Sequence, residues 1–232
     1  MHGFENEYKC LSCKYCFLKS PLFSLLTSEE LEKLDNSRIE TDFKAGEIIY
    51  KQGTPLTHLV IIHEGLGKIY IENSEKDLIL NYTRLMELNG GIGFFIDKRH
   101  HSSLTAVTDC KTCFLNVDDF RSVLYSNKEF MSMFLKLFSM RIQHTYNQFS
   151  LLTQKNMAGR MATAILYLTD EVFNNGSIKN ISKQDLADFT AMTKESAFRV
   201  LKDFKEEGLI DLDKNTIEIK NKKSLQQIAM YG

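Results

Sequence analysis

Residues 182–210, SKQDLADFTAMTKESAFRVLKDFKEEGLI, carry the clearest structural signal in the chain. Ser182, followed three residues later by Asp185, predicts the capped start of one helix, and Thr193 predicts the cap of a second helix. Only Thr190-Ala191-Met192 separates the two, which is the length of a turn. The second helix has apolar residues at three- and four-residue spacing, namely Ala197, Val200, Leu201 and Phe204. The segment therefore predicts a helix-turn-helix.

The other face of the second helix carries side chains that suit the major groove of DNA. Arg199 can form a bidentate pair with guanine O6 and N7, and Glu195 can accept a hydrogen bond from the cytosine amino group. The remaining candidates cap the helices or contact phosphates, and they set register without reading sequence: Ser182, Thr193, Lys194, Ser196 and Lys202. After Gly208, residues 209–220 predict two short strands, a wing, that end a compact helical unit over residues 177–232.

Upstream of this unit the hydrophobic period changes to that of strands. A short capped helix is predicted over Thr27–Asn36, with Glu30 completing a capping box. From Arg38 to about Val117, apolar and polar residues alternate, and glycines punctuate the segments. Several short strands with no helix between them predict an antiparallel sandwich or barrel.

A long helical stretch is predicted from about Asp118 to Thr153, followed by another helix over residues 156–173. The long stretch exceeds the ~11–12 residues of an average helix and has two apolar stripes. One stripe can pack on the β-rich part and the other on a partner helix, as in a coiled coil; the alternative is a single buried helix. The residues predicted for dimerisation are Met133, Leu137, Met140, His144 and Leu151. The neighbouring stripe is Phe134, Phe138, Ile142, Thr145, Phe149 and Leu152.

Composition predicts a soluble globular protein, with 43% hydrophobic and 25% charged residues. No apolar run reaches the roughly 18 residues of a membrane span, and no apolar signal core begins the chain, so a cytoplasmic protein is expected. The net charge of −1 does not exclude DNA binding, because one basic face of one domain is enough. We find no Ser-His-Asp, HExxH or Walker arrangement and expect no enzymatic activity.

In this order, the strands, the long helix and the helix-turn-helix resemble the CRP/FNR family, named for the cyclic-AMP receptor protein and the fumarate and nitrate reduction regulator. The resemblance runs from about Pro21 to Ala229. Family members carry a Glu and, four residues later, an Arg in the recognition helix, as Glu195 and Arg199 do here. Phe198 stands where the FNR branch has a Ser that helps to read its site. We therefore expect a different operator, with Phe198 against a thymine methyl group.

The resemblance implies an α+β chain in four parts. These are a cysteine-bearing segment (1–20), an antiparallel, jelly-roll-like sensory β-roll (21–125), a dimerisation helix (126–153) and a winged helix-turn-helix (154–232). It also implies a homodimeric transcription regulator that binds a pseudo-palindromic operator in double-stranded DNA and contacts RNA polymerase. Two rivals are a cyclic-nucleotide-binding signalling module and a thiol redox protein using CxxC. Neither is favoured, because the chain offers no catalytic or membrane segment and no thioredoxin-like βαβ pattern.

Residues 89–107 bear on the effector. In nucleotide-binding members this cassette has a Glu that holds the ribose and an Arg that neutralises the phosphate. Here Gly91 or Ile92 takes the place of the Glu, His101 or Ser102 takes that of the Arg, and Arg99 is out of register. A buried phosphate without its cation is costly, which argues against cyclic AMP. The candidate effector pocket is Gly91, Ile92, Arg99, His101, Ser102 and Ser103.

The cysteines offer another sensor. Cys10, Cys13 and Cys16 lie on one short segment, and Cys113 resembles the fourth cluster ligand of FNR. Four thiolates suit a [4Fe–4S] cluster or tetrahedral zinc, although FNR spaces its N-terminal cysteines differently. Cys110 forms a second CxxC with Cys113, so a zinc site, a dithiol switch and no metal at all stay open.

The histidines have simpler interpretations. His100 and His101 are predicted to be solvated in a polar loop. His63 is predicted to be a satisfied core residue of a strand, and His144 a polar residue of the dimer seam.

Overall fold

The computed structural model describes residues 20–83, 85–173, 177–213 and 216–232. The N-terminal half is rich in strands, as the alternating pattern predicts. Its strands are β1 (Ile39–Phe43), β2 (Ile48–Tyr50), β3 (His58–Glu64), β4 (Gly67–Ile71), β5 (Leu78–Tyr82), β6 (Leu88–Asn89), β7 (Ser103–Ala106) and β8 (Cys110–Asn116).

These strands form two antiparallel sheets, with orders β1-β8-β3-β6 and β2-β7-β4-β5. Apolar side chains from both sheets share one buried cluster, which includes Ile62 and Leu104 at 0% exposure. Gly65 makes the turn between β3 and β4 with φ +94°, and a Cβ there would lie 2.2 Å from the main-chain oxygen of Asp109. The turn therefore requires glycine on two grounds. The predicted antiparallel roll is confirmed.

Helices cover one end of the roll. Helix α1 (Ser28–Asn36) has the predicted capping box of Thr27 and Glu30. The predicted long helix is instead two helices, α2 (Val117–Ser126) and α3 (Lys128–Gln154). The break falls at Asn127, whose extended backbone ends α2 and whose side chain accepts a hydrogen bond from Phe130 N to cap α3. An N-cap residue inside the helical pattern thus divides it.

The C-terminal part begins two residues after α3. It contains α4 (Met157–Tyr167), a π-helical turn (Leu168–Val172), β9 (Ser177–Lys179), α5 (Lys183–Phe189), α6 (Lys194–Glu206), β10 (Ile210–Leu212), β11 (Thr216–Ile219) and α7 (Lys222–Tyr231). The expectation that a hairpin ends this unit is wrong, because α7 follows it. Asn221 caps α7 by accepting a hydrogen bond from Ser224 N. Leu225 is buried where α7 packs against α4.

Candidate nucleic-acid interface and effector region

The helix-turn-helix consists of α5 and α6. Ser182 accepts a hydrogen bond from Asp185 N while Asp185 accepts from Ser182 N, so the predicted capping box is present. Thr193 accepts from Ser196 N and caps α6. Ala191 adopts a left-handed backbone conformation, φ +52°, in the turn between the helices. The capping residues Ser182, Asp185 and Thr193 are the local signals from which the sequence predicted the starts of both helices.

The recognition helix α6 buries its apolar side and exposes its polar side as predicted. Lys194, Glu195, Phe198, Arg199 and Lys202 are exposed, and Ser196 is half-buried against the cap. Lys202 pairs with Glu206 at 3.4 Å. Neither Glu195 nor Arg199 forms an ion pair with any residue in the described part of the chain, so both stay available to a ligand.

Phe198 has a partner that the sequence did not indicate. The Nζ of Lys183, at the start of α5, lies 4.4 Å from the centre of the Phe198 ring, and Phe198 remains 44% exposed. A cation held over an aromatic face is stabilised by the ring quadrupole. The lysine places a positive charge beside the predicted thymine-reading side chain, where DNA phosphates would approach.

The wing is present as an antiparallel pair. In its register, Ile210 lies opposite Ile219 and Leu212 opposite Ile217. Strand β9 pairs with β11 on the other side, which makes a three-stranded sheet. Lys214 and Asn215, at the predicted tip, lie outside the described residues.

The candidate effector residues do not converge on one site. Arg99 donates from Nη1 to the Gly53 oxygen at 2.7 Å, and His101 lies 3.0 Å from Asp97 Oδ1. Ser103 donates to Glu72 Oε1 at 2.5 Å. Gly91 and Ile92 lie in a 3₁₀ turn, Gly91–Phe94. The polar members are therefore engaged in holding the loop.

Ser102 is instead engaged by Tyr50. Tyr50 is buried, and burial raises its pKa to about 12, although hydrogen bonds to Ser102 and to the Gly90 backbone act in the opposite direction. Tyr50 thus lies against the cassette that the resemblance assigns to effector binding, and its ring stacks on His100 of that cassette. Sequence reasoning missed Tyr50, because its pattern marks it only as a buried strand residue.

His100 is buried, so its prediction as a solvated loop residue is wrong. Its ring stacks on Tyr50 at 4.1 Å between centroids, and it is 7% exposed. Burial lowers the pKa of His100 to about 4. Its Nδ1 finds no hydrogen-bond partner among the described residues. The cause is the Pro55–Arg99 bridge and the Thr54 and Gly53 main-chain bonds, which draw the loop against the roll.

A cavity of about 370 Å³ lies where the roll, α3 and the C-terminal domain meet. Gly91 and Ile92 line it, whereas the other four candidate effector residues do not. The walls are mostly apolar side chains: Leu22, Phe23, Leu85, Met86, Leu88, Ile92, Phe134, Leu137, Phe138 and Met140.

A few polar groups reach this cavity. Arg141 Nη1 donates to the Leu88 oxygen at 2.9 Å, and Nη2 lies 3.3 Å from Glu87 Oε2. The His144 ring packs on Tyr167 at 5.3 Å. Sequence reasoning missed Arg141 and Tyr167, since only the packing of three elements brings them together.

Comparison with known proteins identifies the chain. The model of the cyclic nucleotide-binding domain matches residues 40–127, and that of the Crp-like helix-turn-helix domain matches residues 159–228. The chain belongs to the CRP/FNR family. It is a DNA-binding transcription regulator of the CRP/FNR type, as the sequence predicted.

Relatives in the CRP/FNR family match over most of their length. The fumarate and nitrate reduction regulatory protein of Escherichia coli is 25% identical over 95% of this chain and 90% of its own. The CRP-like cAMP-activated global transcriptional regulator of Mycobacterium tuberculosis is 24% identical, with coverages of 81% and 87%.

Solved structures share the fold. A crp/fnr-family regulator from Eubacterium rectale superposes with a TM-score of 0.76 at 19% identity, covering 91% of this chain and 98% of its own. FixK2 from Bradyrhizobium japonicum gives 0.74 at 17% identity, with coverages of 82% and 96%. CRP/FNR regulators bind DNA and act as dimers. No helix in the described ranges is at once long and apolar enough to cross a bilayer.

Of the candidate metal ligands, only Cys113 lies within the described residues. It is buried on β8, and its Sγ lies 3.9 Å from Arg38 Nη1. A hydrogen bond to Cys113 raises the pKa of His63, which makes this histidine a partner of the thiol. Cys110 is buried nearby, where burial raises the pKa of its thiol. Residues 20–83, 85–173, 177–213 and 216–232 contain no cluster of three metal-ligating side chains.

The residues predicted for dimerisation differ in exposure within one chain. Leu137 and Met140 are exposed, Met133 is partly buried against the roll, and His144 packs on Tyr167. Leu151 is 5% exposed and offers a partner little surface. The opposite side of α3 also exposes apolar residues, namely Leu135, Ile142, Tyr146 and Phe149, of which Ile142 and Phe149 belong to the neighbouring stripe predicted from the sequence.

Proposed function

We propose that this regulator works as a homodimer that reads a pseudo-palindromic operator through paired α6 helices. The observation that carries the proposal is the capped recognition helix, whose exposed face presents Glu195 and Arg199 without intramolecular ion pairs in the described part of the chain. Two such helices related by a two-fold axis contact half-sites about 34 Å apart. RNA polymerase is the further protein partner we propose, in the cytoplasm, and we propose no catalytic activity.

Operator selection from random duplex DNA tests this proposal. Repeated capture by the full-length protein is expected to enrich an inverted repeat, and Arg199→Ala is expected to weaken binding to it by about 1–3 kcal/mol and to relax the preference at one base position. Lys202→Ala is the matched control, because loss of a phosphate contact weakens all sequences alike. Enrichment of a sequence without symmetry, or an unchanged preference in Arg199→Ala, contradicts the proposal.

We propose that a small ligand in the cavity between the roll and α3 carries the signal. The supporting observations are its volume of about 370 Å³ and its mostly apolar lining, which are typical of small-molecule sites. A ligand there touches the roll, α3 and Tyr167 of α4 together. It can shift the population of DNA-competent dimers if its affinity for the two arrangements differs. A cyclic nucleotide is not the ligand we propose, since Gly91 or Ile92 takes the place of its ribose partner and His101 or Ser102 that of its phosphate partner.

A second candidate signal is redox, through a [4Fe–4S] cluster held by Cys10, Cys13, Cys16 and Cys113. The observations that favour it concern Cys113. Arg38 Nη1 lies 3.9 Å from its sulfur, and a guanidinium beside a thiol favours the thiolate that a metal binds. Cys113 also belongs to the same core cluster as Leu22, six residues after Cys16. Six residues can span up to about 20 Å, so the N-terminal cysteines can reach it.

Anaerobic purification tests the redox candidate. Brown protein with roughly four irons and four sulfides per subunit is expected, and Cys113→Ser is expected to abolish both the colour and the metal. Cys110→Ser, a buried neighbour on the same strand, is the matched control and is expected to keep the cluster. Colourless, metal-free protein with unchanged operator affinity in air contradicts the cluster and leaves the cavity as the sensor.

A further inference from the structure

The β4–β5 hairpin of the sensory roll packs directly against α5, the first helix of the helix-turn-helix. Tyr70, Ile79 and Tyr82 of the hairpin belong to the hydrophobic core of the C-terminal domain. Tyr82 is fully buried, and its ring meets that of Phe189 edge-on at 5.6 Å. The two domains therefore share one apolar core at this contact.

Two lysines of the hairpin add charged contacts to the apolar ones. Lys68 pairs with Asp185, and Lys76 Nζ lies 3.9 Å from Asp188 Oδ1. Both carboxylates are buried, at 8% exposure each. Charge pairs held away from water are costly to break singly, because a partner is left buried and uncompensated. The hairpin thus holds α5 by specific pairs as well as by burial.

Lys76 also reaches the turn of the helix-turn-helix. Its Nζ donates to the main-chain oxygens of Ala187 and Met192. Met192 immediately precedes Thr193, the cap of the recognition helix. The loop that joins β4 to β5 therefore lies beside the N-terminal end of α6, which is the end that enters the major groove.

This loop is acidic. Residues 72–77, ENSEKD, contain Glu72, Glu75 and Asp77 with Lys76 as the only cation, and Lys76 is turned inward onto α5. Glu75 is exposed. Glu72 is held on the roll by Ser103 and Lys51, so Glu75 and Asp77, on either side of Lys76, are the carboxylates that matter here. Phosphates of DNA bound at the N-terminal end of α6 would approach them, and like charges repel at short range. Repulsion of this kind would oppose DNA binding while the hairpin is docked.

We propose that the β4–β5 hairpin is an autoinhibitory clamp on the helix-turn-helix, and that release of Lys68 and Lys76 from α5 moves the acidic loop away from the end of α6 that enters the major groove. The proposal rests on operator binding through α6 as proposed above. If only a fraction of the molecules have the clamp open, the apparent affinity for the operator falls to that fraction of the affinity of the open form. A ligand or a redox change that opens the clamp therefore raises DNA affinity without touching DNA.

Variants that loosen and tighten the clamp test it with opposite signs. Lys68→Gln with Lys76→Gln is expected to raise operator affinity, on the order of tenfold if about a tenth of the molecules are open. This sign is diagnostic, because loss of two cations would otherwise weaken DNA binding. Lys111→Gln, which removes an exposed pair with Glu64 on the same domain, is the matched control and is expected to leave affinity unchanged.

Tyr82→Phe is the tightening variant. The Tyr82 hydroxyl is buried with no hydrogen-bond partner among the described residues, so its removal relieves an unsatisfied polar group and keeps the ring packing. Operator affinity is expected to fall severalfold while the melting temperature rises.

The test is to titrate the operator with four proteins: the wild type, the double lysine variant, Lys111→Gln and Tyr82→Phe. A cooperative thermal transition in each protein shows that it is folded. A gain for the lysine variant with a loss for Tyr82→Phe supports the clamp. Equal affinity of folded wild type and Tyr82→Phe, or a loss in the lysine variant, overturns it. Failure of the wild type itself to bind a selected operator contradicts the proposed function and not the clamp.

Discussion

Acid should destabilise this protein through His100, a residue that the fold keeps neutral. Its ring is buried against Tyr50, and burial lowers its pKa from 6.5 to about 4. Between these values the unfolded chain binds a proton at this position and the folded chain does not. The free energy of unfolding is therefore highest above pH 6.5 and falls as the pH drops towards 4.

The size of the effect follows from the two pKa values. Each unit of difference is worth 1.36 kcal/mol, so His100 alone is expected to lower the free energy of unfolding by about 3 kcal/mol between pH 7 and pH 4. That is a large fraction of the 5–15 kcal/mol of a typical domain. Below about pH 4 both states are protonated and this contribution becomes constant.

Urea unfolding of the wild type and of His100→Phe, followed at several pH values, isolates this contribution. Phenylalanine keeps an aromatic ring against Tyr50 but cannot bind a proton. The difference in unfolding free energy between the two proteins is expected to change by about 3 kcal/mol over the window, with the variant favoured at low pH. A difference that stays constant from pH 7 to pH 4 would show that the His100 site is open to protons in the folded state, against the burial described.

Two further predictions concern the dimer and the roll. Ile142→Glu is expected to give monomers in sedimentation velocity, because an unpaired charge in an apolar dimer interface is costly. Leu137→Glu places the same charge on the other stripe and shows which of the two stripes forms the interface. Full dimers in both variants would place the interface away from α3. Gly65→Ala is expected to lower the free energy of unfolding by at least about 1–3 kcal/mol, because the alanine would have to adopt φ +94° and its Cβ would lie 2.2 Å from the Asp109 oxygen. Gly91→Ala is the control in urea unfolding, because no atom lies within 4 Å of its added Cβ. An equal loss in both variants would contradict the tight turn at Gly65.

The parts of the structure that sequence analysis predicted well are those with local causes. Thr27 with Glu30, Ser182 with Asp185, and Thr193 each satisfy orphan N–H groups within one turn, so their sequence pattern and their geometry coincide. The same reasoning could have found α7, because Asn221 caps Ser224 N in the same way. The recognition face was predictable for another local reason, because the apolar residues of α6 recur at three- and four-residue spacing and mark its buried side.

Contacts between residues far apart in the sequence could not be predicted from local sequence patterns. Lys76 and Met192 are 116 residues apart, and only the docking of the hairpin on α5 brings them together. Burial of His100 depends on Tyr50, which lies 50 residues earlier in the chain, and the cavity depends on three elements meeting. Polarity alone suggested solvent exposure for a loop histidine, whereas tertiary packing decided otherwise.

Asn127 does more than separate two helices. Besides capping α3, its side-chain nitrogen donates to the Leu25 oxygen at 3.2 Å and to Glu30 Oε2 at 2.9 Å, and the same Glu30 oxygen accepts from Thr27 N to cap α1. The Asn127 amide is thus hydrogen-bonded to the first turns of both α1 and α3. A displacement of α1 by about an ångström would either break one of these hydrogen bonds or tilt the long helix with it. Because α3 has 27 residues and is about 40 Å long, a tilt of a few degrees at Asn127 would move its other end by a few ångströms. The DNA-binding domain begins at that end.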